Sequence, residues 1–209
     1  MEQTFRDFLS KNPAIETCYA EGLINRRALA RHIIRKGIAN KNQTEAVVAM
    51  LRRFQFEKQT KGNNPFGKTR INIKDNIIIL DFEKEKELVK ELQNLIKQTN
   101  YDKGDTLKIV VGSSNVKVLI DESNESKVKG LSDNYKLNNK LRNISELSVI
   151  FAESAVDERG ILSTVTKQMT LHGIVIAEFL TASPELLIYL DEKYVLKAYE
   201  ILKDLQNIN

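Results

Sequence analysis

Two groups of residues in this sequence could do chemistry, and neither is catalytic. The first is cationic. Between residues 24 and 70 stand twelve lysines or arginines against Glu45 and Glu57 alone. Arg26, Arg27, Arg31, Arg52 and Arg53 lie on two helical stretches of that segment. Charge of one sign gathered on one segment suits a polyanion, and otherwise forms a solvated helical surface. The second group is the turn VDERG, residues 156–160, ahead of the apolar run ILSTVTKQM. Gly160 permits close backbone approach, and the amides from Ile161 onward would point at a carboxylate. The plainer alternative is that Gly160 only turns the chain while Asp157 caps the helix.

An enzyme needs convergent groups, and this sequence offers few. His32 lies in the basic helix and His172 before a turn at Gly173, each placed as a surface or packing residue. There is no Cys or His pair at metal-ligand spacing, no glycine-rich nucleotide loop and no Gly-x-Ser-x-Gly elbow. Asp121–Glu122 and Asp191–Glu192 recur ahead of two helices, where negative charge suits the helix dipole. We therefore expect no catalytic residue, no metal and no cofactor, the only small molecule in prospect being an amino-acid effector.

The elements that must position these residues change character along the chain. At 209 residues, about 70% of the unfolded surface can be buried without disulfide or metal. The net charge is +4, and the lone Cys18 fits a reducing compartment and a buried thiol. No apolar run approaches a membrane span, and MEQTFRDFLS is no signal peptide, so a cytoplasmic chain is expected. The first fifty-odd residues read as helices. Pro13 suits a first turn, Asn25 can cap RRALARHIIRK, and Gly37 supplies a stop. In NKNQTEAVVAMLRRF, Asn42 and Glu45 have the spacing of a capping box, and Val47, Met50, Leu51 and Phe54 draw one apolar stripe. Residues 57–70 read as a basic linker or wing.

Beyond residue 70 strands and helices alternate, and the pattern repeats. A shift of 70 residues sets Asp121 on Asp191, Val118 on Ile188, Ile79 on Val149, Leu92 on Leu162 and Leu95 on Val165. Each copy reads as strand, helix, two strands and a second helix, over 71–135 and 141–209, with the second helix of the first copy short and polar. This is an α+β sandwich of the split β-α-β kind. Leu186, Ile188 and Leu190 should face the helices, leaving Leu187 and Tyr189 on the far face, as Lys117 and Leu119 are in the first copy. An apolar far face needs cover, and a homodimer is the expected cover.

The second copy resembles an ACT domain, the small ligand-binding module of amino-acid-metabolism regulators. Asp157, Gly160, Ile161 and Leu162 match the opening of the family's first helix, and Gly173, Ile174 and Ile176 match its close. The resemblance covers about residues 145–205 and is nearest to the paired ACT domains of aspartate kinases. It implies two ferredoxin-like βαββα units and an amino-acid site at Asp157, Gly160 and Ile161. Arg159 stands where the family usually has Pro, Val175 where ligand-binding members often have Asn, and no final strand follows the last helix. The N-terminal part is similar to a helix-turn-helix of the winged family, with ALARHI as supporting helix and TEAVVAMLRRF as recognition helix. That similarity implies Gln43, Thr44, Ala46 and Ala49 facing base edges, Asn42 among the DNA-binding residues, and Arg26, Arg27, Arg31, Arg52 and Arg53 on phosphates. The expected function is a DNA-binding transcriptional regulator with a dimerising, amino-acid-sensing ACT-like body. The alternative is a regulatory subunit that docks on a metabolic enzyme through its basic head. RNA is a weaker partner, because the basic segment lacks interleaved aromatics.

Overall fold

Pro13 and Asn25 set the helices of the first unit. A computed structural model of the chain describes residues 2–54, 64–155 and 157–207, so most of the expected linker or wing lies outside the described residues. Two compact units, Met1–Gly62 and Asn63–Asn209, divide the chain. In the head, α1 spans Glu2–Ser10 and α2 spans Pro13–Ala20, a proline start whose missing N–H costs nothing in a first turn. The Asn25 side chain accepts from the Arg27 and Ala28 amides at 3.0 and 3.1 Å and opens α3, Arg26–Arg35. The start of α4, Thr44–Arg53, differs from expectation. The capping box joins Asn40 and Gln43 around a 3₁₀ turn over Lys41–Gln43, not Asn42 and Glu45, and no side chain caps α4 itself. The chain makes its tight turn first, and Glu45 is left 3.6 Å from Arg27. Phe5, Phe8, Leu9, Tyr19, Leu29, Ala30, Ile33, Val47, Val48 and Leu51 form the head's core, with Met50 and Phe54 half-buried against it.

The body holds β1 (Arg70–Glu83), α5 (Lys86–Gln98), β2 (Leu107–Val111), β3 (Asn115–Asp121) and α6 (Lys129–Asn134). The second copy follows as β4 (Leu137–Ile150), α7 (Ile161–Leu171), β5 (Ile176–Ala182), β6 (Glu185–Asp191) and α8 (Val195–Gln206). One antiparallel sheet runs β2-β3-β1-β4-β6-β5, which is the α+β class expected. Ile78, Leu80 and Phe82 pack under α5 with Leu88, Leu92 and Leu95. Leu147, Val149, Leu186, Ile188 and Leu190 pack with Val165 and Met169 of α7 and with Ala198, Ile201, Leu202 and Leu205 of α8. The polar stretch after β3 is the distorted place: a 3₁₀ run over Glu122–Val128 precedes the short α6.

The repeat is real but does not keep a constant shift. The shift of 70 holds for β3 and β6, where Val118 and Ile188 both face helices. In the first strands Leu80 matches Leu147 and Phe82 matches Val149; the expected pairing of Ile79 with Val149 joins opposite faces. An odd slip along a strand flips every side chain, so insertions in the loops undo a fixed register. In the helices Leu88 matches Ile161 and Leu92 matches Val165, whereas Leu162, expected opposite Leu92, is exposed. Asn76 (φ +57°) and Asn143 (φ +55°) occupy equivalent bends in the two long strands. Asparagine tolerates the left-handed region better than other residues with a Cβ. Asn143→Val is therefore expected to cost about 1–2 kcal/mol and Asn143→Gly little, as read from urea midpoints.

Those bends solve the missing strand. Residues 77–83 of β1 pair with β3, while residues 70–74 pair with residues 146–150 of β4. Reciprocally, 144–150 of β4 pair with β6, and 137–141 pair back on β1. Each copy thus has four strands, the fourth lent by the other copy, and the second copy takes its last strand from the start of the body. The far faces meet as well. Strands lie about 4.8 Å apart, so Lys117 of β3 and Glu178 of β5, separated by three strands, can form their ion pair only if the sheet curls on itself. Ile77, Ile79 and Leu119 of the first copy bury Ile144, Leu187 and Tyr189 of the second. The homodimer expected from an exposed far face loses that ground, because the repeat covers its own far face.

Candidate functional site

The two copies diverge most where the first strand passes into the first helix. In the first copy Lys84 and Glu85 suffice, and the loop is closed: the Lys84 amide donates to Ser114 O at 3.0 Å and its Nζ to Gly112 O at 2.9 Å. In the second copy residues 151–160 intervene, with a 3₁₀ turn over Glu153–Ala155. Gly160 sits at the N-cap of α7 with φ +87°, a left-handed conformation that suits glycine. No side chain caps this helix, so the alternative in which Asp157 does so is not met. The first bond within the helix runs from the Thr164 amide to Gly160 O at 2.8 Å. A helix leaves its first amides without intrahelical partners, and here those of Ile161, Leu162 and Ser163 are the ones at the open end.

That end opens on a cleft of about 520 Å³, a size that suits a small molecule. Phe151, Ala155, Ile161, Leu162, Pro184 and Leu186 give it apolar walls; Ser163, Thr181, Ser183, Glu158 and Glu185 are its polar lining. The Phe151 amide donates to Pro184 O at 3.0 Å, which carries the β4–β6 ladder to the rim and brings Glu185 beside Ile150. Ser148 Oγ donates to a Glu185 carboxylate oxygen. The arrangement can hold a carboxylate on the helix amides, a cation on Glu158 or Glu185, and an apolar group between them. Of the residues expected to bind ligand, Gly160 and Ile161 line the cleft and Asp157 does not. Phe151, Pro184, Glu185 and Leu186 were missed; their only sequence signal is the Ser-Pro turn between two strands.

In the head, Arg26, Arg27, Arg31, Asn42, Arg52 and Arg53 are exposed, and Gln43 and Thr44 are partly so. Arg26, Arg27 and Arg52 surround one groove with Asn25; Arg31, Arg35, Lys41 and Thr44 surround another. Gln43 Oε1 accepts from the Asn40 amide at 3.0 Å, Thr44 Oγ1 donates to Lys41 O at 3.3 Å, and Arg53 Nε donates to Ala49 O at 3.4 Å. Burial pushes the Tyr19 phenol up from its ordinary range, with Arg26 beside it pulling the other way.

Among the described residues no group of three or more His, Cys, Asp or Glu could hold a metal ion. His32 packs against Phe8, and His172 Nδ1 lies 2.9 Å from Gln168 O at the end of α7. Cys18, expected to be buried, is half-exposed. No helix among the described residues is long and apolar enough to cross a membrane.

No family model matches the chain, and no curated protein matches it. Solved structures do. Aspartate kinase of Clostridium acetobutylicum, an allosteric enzyme, is similar with a TM-score of 0.52 at 14% identity over 65% of this chain and 34% of the kinase. The chain therefore spans about a third of that enzyme. A putative C-terminal regulatory domain of aspartate kinase from Porphyromonas gingivalis W83 gives 0.51 at 11% identity, over 67% of this chain and 98% of the domain. The regulatory subunit of aspartate kinase from Thermus thermophilus, in its ligand-free form, gives 0.50 at 8%, over 66% and 95%. At these identities the likeness concerns the fold alone: the ACT-type α+β fold of aspartate-kinase regulatory regions.

Proposed function

We propose that this chain is a regulatory protein whose body binds a free amino acid at the start of α7 and whose head docks on a metabolic enzyme. The observation that carries it is the uncapped N-terminus of α7 opening into an apolar-walled cleft with two carboxylates on its lining. An α-carboxylate would sit on the amides of Ile161, Leu162 and Ser163, the ammonium would face Glu158 or Glu185, and an apolar side chain would lie against Phe151, Pro184 and Leu186. Two of the structures with this fold are regulatory pieces matched over nearly their whole length, which supports regulation over catalysis.

Titration calorimetry of the whole protein with each free amino acid tests the site. At least one should bind, and Gly160→Val should weaken it tenfold or more, about 1.4 kcal/mol. A Cβ at Gly160 meets nothing nearer than Ser163 Oγ at 3.7 Å, so the strain lies in the left-handed backbone and not in crowding. A protein that gives no heat and no thermal shift with any amino acid would sink the reading.

A second reading keeps a specific observation of its own. From Arg26 to Arg53 the head exposes eight arginines and lysines against Glu45. A DNA-binding regulator would set Arg26, Arg27, Arg31, Arg52 and Arg53 on phosphates and Asn42, Gln43 and Thr44 toward bases, with two copies pairing to place two heads. The far face does not serve that pairing. Capture from a cell extract separates the two: a protein partner survives nuclease digestion, and a nucleic-acid partner does not.

A further inference from the structure

Arg27, Arg31 and Arg35 stand four residues apart on α3, so their side chains rise along one face at intervals of about 6 Å. Like charges at that spacing repel and weaken a helix. Arg26 and Arg27 add cations to its first turn, the end where the helix dipole favours anions. Among the described residues little answers this charge. Arg27 has only the long, exposed contact with Glu45 at 3.6 Å. Among the described residues no acidic group lies within ion-pair distance of Arg31, Arg35, Lys36, Lys41 or Arg52. The other acidic residues of the described head, Glu2, Asp7, Glu16 and Glu21, belong to α1, α2 and the turn after α2. A ridge of arginine that the described residues leave almost uncompensated, and that opposes its own helix, points to an anion outside the chain.

The same surface is poor at reading bases. Gln43 would need its carbonyl and amide together for bidentate pairing with adenine, but its carbonyl is turned back onto the Asn40 amide. Thr44 is tied to Lys41 O, and Arg53 to Ala49 O. Nor do the described residues of the head offer a stacking platform for single strands, which bind through exposed aromatic rings. Phe5, Phe8 and Tyr19 are buried, and Phe54 packs on Phe5 and Tyr19.

We propose that the head grips the phosphate backbone of duplex DNA through the Arg27–Arg31–Arg35 ridge, aided by Arg52 and Lys41, and does not read its sequence. This rests on the second reading above, in place of enzyme docking by the head, and narrows it: the body's effector would govern when the protein sits on DNA, not which sequence it selects.

Fluorescence anisotropy of the whole protein with labelled duplexes is the test. Unrelated A·T-rich and G·C-rich duplexes should bind within about threefold of one another, and single strands more weakly. The exposed double variant Arg31→Gln/Arg35→Gln, its fold checked by circular dichroism, should make the slope of log K against log salt shallower by about 1.8. Asn42→Ala should change nothing. If selection from a random pool yields a duplex bound on the order of a thousandfold tighter than the pool, the scale of specific recognition, DNA binding stands and the backbone-only proposal falls. An unchanged salt slope in the double variant also overturns it. No duplex binding even at low salt, or displacement of duplex by far less RNA, removes both the proposal and the reading beneath it.

Discussion

A chain shortened to begin at Asn64 is expected to fold as the body does, and one shortened to begin at Asp75 is expected not to. The residues between them are not a tether. Phe66 is buried in the second copy's core, its ring 5.7 Å from that of Phe151, and Ile71 packs beside it. Gln206 Nε2 donates to Thr69 O at 2.8 Å and to Thr69 Oγ1 at 2.6 Å, while Asn64 Nδ2 donates to Leu205 O at 2.8 Å. Residues 70–74 form the strand beside 146–150 of β4, and Lys74 holds the buried Asp121 at 2.8 Å. Removing the Phe66 ring alone is worth about 3–5 kcal/mol. Asp121 would also lose its cation, and one edge of β4 would lose its partner. A domain with about 5–15 kcal/mol in hand does not survive that sum. Circular dichroism with a urea titration decides it. The Asn64 chain should show one cooperative transition and the Asp75 chain none; a shared midpoint would refute the strand exchange.

The strand exchange shows what periodicity can and cannot tell. Alternation identified the far-face pair Leu187 and Tyr189 and the corresponding Lys117 and Leu119, because each side chain's face follows from the two-residue repeat of a strand. It could not name what covers that face. The cover is the other copy, reached by a curl of the sheet whose two long strands bend at Asn76 and Asn143. Nor could it show that a strand changes neighbours midway. Ile71 and Ile73 alternate smoothly into NIIILDF, and the bend at Asn76 carries no apolar signature. A constant shift of 70 succeeded at β3 and β6 and failed upstream, because the loop at 151–160 replaces a two-residue link and the link after the helix, 172–175, is shorter than its counterpart at 99–106.

At the candidate site, Gly160 was legible as a turn glycine before an apolar helix. Glu185 and Pro184 were not, since they meet Phe151 only through the β4–β6 register. In the head the cap at Asn25 was legible. The entry to the head's last helix was not, because NKNQTE offers two asparagines at capping distance from Gln43 or Glu45; the chain uses the first for a 3₁₀ turn and leaves the helix itself without a side-chain cap.

Tyr189 should be the most consequential side chain between the two copies. It is fully buried on the far face, against Ile77, Ile79 and Leu119, and its hydroxyl donates to Glu146 at 2.5 Å. Tyr189→Ala removes the largest fully buried side chain among the described residues and should cost about 3–5 kcal/mol for the cavity, with a further loss for the stranded carboxylate. Tyr189→Phe keeps the volume and isolates the second effect. Glu146 would remain buried without its donor, a cost of about 1–3 kcal/mol. The two variants respond differently to alkali. Burial first, and the Glu146 charge second, push the Tyr189 phenol well above its ordinary range near pH 10. The unfolded chain therefore releases this proton near pH 10 while the folded chain keeps it. Above that pH the unfolded state binds fewer protons, and wild-type stability falls by up to about 1.4 kcal/mol per pH unit from this group. Phenylalanine has no proton to lose. The stability gap between wild type and Tyr189→Phe should be constant from pH 7 to 9 and narrow above pH 10, as measured by urea titration. A gap that stays constant to pH 11 would mean that Tyr189 ionises as easily folded as unfolded, and that the two far faces are wetter than their packing implies.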